Sequence, residues 1–162
     1  MSKDTLGQFY EGMRLVGEGK AEEAESVLKS VLKSQPENAD AFWLLGRALA
    51  LQDQLKGSID AYRRAAQLEP DRAVFHESLG VTFILSGDIP KGKEALRKAL
   101  ELDPEALRPS EYTFGKLIEK NPENLVYWYG LGIVLELQGK TDMSQKAMLK
   151  ARQYDSPRSA DT

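Results

Sequence analysis

The chain has no cysteine and a single histidine, His76. Disulfides and thiolate metal sites are therefore excluded, and one histidine leaves only carboxylates to hold an ion. No Asp-rich calcium loop occurs, and Gly80 and Gly87 lie in a helical stretch and a turn rather than in a phosphate-binding loop. His76 stands beside Phe75 at a place that suits a satisfied interior or boundary histidine. Long hydrophobic runs are also missing. The most apolar stretch, Leu125 to Leu137, falls about a third short of the roughly 20 residues that a membrane span needs. Met1 to Tyr10 shows no basic leader followed by an apolar run. Neither charge sign dominates, since 22 Lys and Arg are interspersed with 25 Asp and Glu for a net charge of −3. That balance lacks the concentrated basic face of a nucleic-acid or anionic-membrane surface. The expectations are no catalytic residue, no cofactor, no metal, no nucleic-acid partner, no membrane insertion and a cytoplasmic location.

What the sequence has instead is a repeat. Pro36, Pro70 and Pro104 stand 34 residues apart, and Gly12, Gly46 and Gly80 keep the same step. Within each step two apolar stripes run at helical spacing, the pattern of paired amphipathic helices. Ala41, Phe42, Leu45 and Leu49 form one stripe. Ile59, Ala61, Tyr62, Ala65 and Leu68 form the next, and Pro70 closes it. Neither helix has an apolar face wide enough to stand alone, so each pair needs a neighbour of its own kind. The fold class read from this is an all-α superhelix, a solenoid of about nine helices, over residues 1–155. Its units run about 5–38, 39–72 and 73–106, then a single irregular helix at 107–122 and a last unit at 124–155; residues 156–162 read as a disordered tail. A mid-helix glycine costs about 1 kcal/mol against alanine. Gly12, Gly46, Gly80 and Gly132 share one phase, which signals helix axes too close for a side chain.

The period fails after Pro104. The next proline in phase, Pro122, comes 18 residues on, which is 16 short of a unit. Leu107 to Pro122 reads as a second-type helix with no first-type helix before it; Ser110, Phe114 and Leu117 fill its small, aromatic and aliphatic places. A helix of about 14 residues is about 21 Å long, and roughly six linking residues reach about 20 Å. A parallel continuation is barely attainable. Three outcomes stay open: the odd helix packs antiparallel to its predecessor, the C-terminal part swings out to dock on another chain, or 16 residues are absent between Ala106 and Leu107.

The 34-residue step, the phased glycines and the Leu102-Asp103-Pro104 ending resemble the tetratricopeptide repeat (TPR) family, over Thr5 to Ala106 and Leu125 to Asp155. The resemblance implies that the first helix of each pair lines a concave groove for peptides or helices. Carried over place by place, the groove residues are Phe9, Met13 and Val16, then Trp43, Arg47 and Ala50, then Val74, Glu77, Val81 and Ile84, and finally Tyr129 and Ile133. The set is apolar for a surface facing water. Phe42 takes the packing place beside Trp43, so the indole is turned about 100° away, towards the groove. Grouped apolar residues with Trp, Tyr and Arg mark interaction surfaces. The implied function is a protein–protein interaction scaffold or adaptor that binds an apolar or amphipathic peptide or helix. On that reading Trp43→Ala weakens capture while leaving helicity unchanged. Against it stands packing: part of the set belongs to helix contacts or is covered by the chain's own termini. The alternatives are a homo-oligomeric assembly element built through the irregular C-terminal part, and a type III secretion-like chaperone for an apolar segment. The family's two-carboxylate clamp needs Lys and Asn where this chain has Phe9 and Met13, so a clamp for chaperone tails is not expected.

Overall fold

The structure, a computed structural model, describes residues 3–155, so the tail at 156–162 lies outside the described residues. Within them the chain is nine helices without a strand: α1 (Lys3–Gly17), α2 (Ala21–Ser34), α3 (Ala39–Leu51), α4 (Leu55–Leu68), α5 (Ala73–Leu85), α6 (Ile89–Leu102), α7 (Arg108–Lys120), α8 (Leu125–Leu137) and α9 (Thr141–Asp155).

Local chemistry sets several of the ends. The Asn38 side chain accepts from the Ala41 N–H at 2.9 Å, and that of Asn124 accepts from the Val126 N–H at 3.0 Å. Asp88 caps α6, where Pro90 lies in the first turn and has no N–H to lose. Such caps contribute about 1 kcal/mol each. The turn inside each pair needs one left-handed residue, supplied by Gly19, Gly87 and Gly139. The second pair uses Asp53 instead, at φ 58°, a conformation that a short polar side chain tolerates.

The phased glycines do what their spacing implied. A Cβ on Gly12 would lie 2.7 Å from Leu28, on Gly46 2.6 Å from the Tyr62 ring, on Gly80 2.7 Å from Leu96, and on Gly132 2.8 Å from Met148. In each case the blocking side chain belongs to the second helix of the pair. Gly80→Ala is expected to lower stability by about 2 kcal/mol, the usual scale of overpacking, because the Gly92 carbonyl oxygen is also within 3.0 Å. Gly115→Ala, with nothing within 4 Å, is expected to raise it by up to about 1 kcal/mol. Denaturant melts of the two variants check the contrast.

From α1 to α6 each helix packs on the one before it, and α9 packs on α8. The exception is α7. It lies mainly on α8 and also touches α5, without the extensive packing on its predecessor that the other helices have, while α8 reaches both α5 and α6. The residues before α7 are coiled, not stretched: the Ala106 N–H donates to the Asp103 carbonyl at 3.0 Å, and the Glu105 N–H to the Asp103 carboxylate at 2.9 Å. The irregular region therefore folds back on its own chain instead of swinging away. Leu107 and Phe114 are fully buried and join Val81, Ile84, Leu96 and Ile133 in one core cluster. No helix among the described residues is long and apolar enough to cross a membrane.

Candidate functional site

The odd placement of α7 shapes an open groove of about 540 Å³ whose walls come from α3, α5 and α7. Pro109, Thr113 and Leu117, four residues apart on α7, form one wall. Trp43, Arg47, Ala50 and Leu51 of α3 face them, with Val74, Glu77, Ser78 and Val81 of α5 between.

A chain of hydrogen bonds runs through the base. The Trp43 indole Nε1–H donates to Ser78 Oγ at 3.0 Å, and that hydroxyl donates to Glu77 Oε2 at 3.2 Å. From α7, Ser110 Oγ donates to Glu77 Oε1 at 2.5 Å. One carboxyl group thus ties α5 to α7, and through Ser78 to α3. Glu77 is 7% exposed. Burial pushes its carboxyl above the ordinary range, opposed by the Ser110 and Ser78 hydroxyls and the Arg47 charge. Trp43 tilts against Phe75 with ring centroids 6.3 Å apart, and the Arg47 guanidinium sits 5.1 Å from the Trp43 ring. Beside this polar base the rim is aliphatic, and Leu51 is 57% exposed.

The structure divides the sequence-derived set. Val16, Trp43, Arg47, Ala50, Val74, Glu77 and Val81 line the groove. Ile84 and Ile133 do not: both are sealed in the core. Ile84 fills the space that Gly92 leaves, since a Cβ there would come within 2.5 Å of its side chain. Phe9 packs half-buried on the first core cluster. Met13 stands exposed on α1 and Tyr129 is half-buried on α8, both off the groove. Trp43 has a double role, because it lines the groove and also packs against three core clusters. Removing it therefore costs packing as well as contact area, so Trp43→Ala does not separate binding from folding. Ser78, Thr82, Leu85 and the α7 wall were not in the set. The Glu77-Ser78 pair on an apolar helix was the available signal, since a buried carboxylate requires donors. His76 is half-buried, and its Nε2–H donates to the Pro70 carbonyl at 2.7 Å, which satisfies it locally.

Helix pairs stacked around an open inner face define a repeat scaffold for protein interaction. Two tetratricopeptide repeat family models match residues 11–73 and 75–105, and the chain belongs to that family. It is 32% identical over 110 residues to BBSome complex member BBS4 of Xenopus tropicalis, covering 67% of this chain and 21% of that protein. The chain thus spans about a fifth of that relative's length. Among solved structures it resembles MamA from Desulfovibrio magneticus RS-1 (22% identity, TM-score 0.62, 98% of this chain and 78% of that one). It also resembles the Yersinia enterocolitica type III secretion translocator chaperone SycD (16% identity, TM-score 0.64, 90% and 97%). Both likenesses concern the fold.

Proposed function

We propose that the chain is an adaptor that holds an apolar or amphipathic peptide or helix of a protein partner in the groove between α3, α5 and α7. The supporting observation is the groove itself: an open space with an aliphatic rim and an aromatic base, which gathers apolar side chains from three helices while the exposed Leu6, Tyr10, Tyr112, Met143 and Leu149 lie outside it. At about 540 Å³ it is within the range of roughly 300–1,000 Å³ in which pockets bury a small ligand. That suits two or three anchoring side chains of a longer segment, as in helix-in-groove recognition. Leu51 is the residue to change, since it lines the groove, ends α3 and carries no core packing. Leu51→Asp is expected to weaken binding of amphipathic synthetic peptides about tenfold or more, which is at least about 1.4 kcal/mol, with unchanged circular dichroism. Trp43 fluorescence, isolated by Trp128→Phe, reports the binding. Equal affinity of the variant for every peptide that perturbs Trp43 would count against the groove.

A chaperone for an apolar segment of a secreted protein is the second reading, favoured by the likeness to SycD along almost the whole of both chains. It predicts that co-expression keeps such a segment soluble. An assembly element built through α7 has less to draw on, because Leu107 and Phe114 are already buried within the chain. Mass in solution at micromolar concentration tests it.

A further inference from the structure

We propose that the guest of this groove carries a carboxylate among its apolar side chains, and that Arg47 receives it. The inference rests on the groove reading and adds the chemistry of the occupant. Arg47 and Glu77 are the charged side chains among the residues lining the groove. Glu77 cannot face a guest: it is 7% exposed, and its two oxygens accept from Ser110 and Ser78. Arg47 is the opposite case. Its side chain is exposed, and no carboxylate among the described residues lies within the 4.0 Å of an ion pair.

Its position is also fixed. The guanidinium rests 5.1 Å from the Trp43 ring, and the indole is itself held by Ser78 and Phe75. Stacking of this kind leaves the planar N–H edge free for a carboxylate, with less rotamer entropy to lose. Packing does not account for the residue. The equivalent places one repeat before and one repeat after hold Met13 and Val81, so the fold accepts an aliphatic side chain there. A purely apolar guest would strip water from the Arg47 cation and leave it only the buried Glu77 carboxyl, which its charge reaches without forming an ion pair. A guest carboxylate replaces that water with a charge-assisted, bidentate bond, strengthened by the low-dielectric walls of Val74, Val81 and Leu117.

The test uses the full chain and a random peptide library displayed with free C-termini. Peptides selected on the wild type and lost on Leu51→Asn, a neutral polar change that neither pairs with Arg47 nor repels an acidic guest, define groove binders. They are expected to share an Asp, a Glu or a terminal carboxylate flanked by apolar residues. Synthetic copies are expected to bind Arg47→Gln at least tenfold more weakly and Arg47→Lys at an intermediate level. Selection on Arg47→Glu is expected to replace the acidic position by Lys or Arg. Groove binders with no acidic preference, bound equally by Arg47→Glu, would overturn the carboxylate proposal and leave the groove standing. A library yielding no Leu51-dependent peptide would overturn both. Arg47 is exposed, so these variants keep the fold, and matching circular dichroism confirms it.

Discussion

Phe114→Ala is expected to lower stability by about 4 kcal/mol and to remove one wall of the groove. The ring is fully buried, and losses for buried phenylalanine truncated to alanine run about 3–5 kcal/mol. The site has little means of collapsing, because the ring occupies a space that α8 provides by having glycine at 130. A Cβ on Gly130 would stand 2.2 Å from the ring. Helix α7 packs chiefly on α8, with a smaller contact on α5. Its surface bonds are weak compensation: the Lys140–Glu111 pair at 2.6 Å is part-exposed, and such pairs contribute about 0–1 kcal/mol. The loss should therefore show first as faster amide exchange in α7, and as reduced peptide binding through Pro109, Thr113 and Leu117. The reciprocal variant sharpens the test. Gly130→Ala should destabilise the wild type, yet be close to neutral when combined with Phe114→Ala, since its methyl then enters the vacated space. Additive effects of the two changes would show that ring and glycine do not depend on each other.

That prediction could not have been written from the sequence, and the reason is specific. The repeat was legible because glycine, proline and apolar residues recur at one step, and each recurrence reflects one contact: Gly12 with Leu28, Gly46 with Tyr62, Gly80 with Leu96. Periodicity reports the neighbours that a residue has in every unit. It reports nothing at the place where the period breaks. Phe114 and Ser110 were read as ordinary second-helix residues, yet their partners, Gly130 and Glu77, are reached only because α7 lies on α8 and α5. The groove set shows the same division. Residues on α3 and α5 were placed by phase, and those of the α7 wall were not. Ile84 and Ile133 were misplaced for a related reason. A carried-over face assumes one direction of exposure per helix, whereas α5 is apolar all round and buries Phe75, Leu79, Phe83 and Ile84 together.

Ser110→Ala is expected to cost about 3 kcal/mol at neutral pH and less under acid, and Glu77→Gln is expected to remove most of that pH dependence. Removing the α7 hydroxyl leaves one carboxylate oxygen of a buried group without its donor, a loss at the upper end of the range of about 1–3 kcal/mol for unsatisfied polar atoms. The sign with pH follows from linkage. Burial raises the folded-state value of Glu77 above the ordinary glutamate value of 4.5, so the folded chain holds this proton more strongly than the unfolded chain. The contribution of the group to stability is then fully present below the unfolded value and declines as pH rises from there through the folded value. Ser110 favours the charged form. Its removal should raise the folded value further and carry the decline to higher pH. The Arg47 charge acts on the same carboxyl, and that carboxyl acts on Tyr62. The Tyr62 hydroxyl is pushed up by burial, away from this window. Glu11, Glu18, Glu25 and Asp88 are held below the ordinary range by hydrogen bonds to Arg14, Lys20, Lys29 and Lys91. They give the opposite trend, with stability lost as pH falls, and they are common to both chains. The difference in stability between wild type and Glu77→Gln, followed by denaturant melts from pH 4 to 8, therefore isolates one carboxyl. The glutamine chain should gain on the wild type as pH rises. A difference that moves the other way would mean that Glu77 is stabilised as the anion in the fold, with Arg47 acting as its counter-ion and no longer free for a guest; a flat one would mean that its hydrogen bonds and Arg47 fully offset burial.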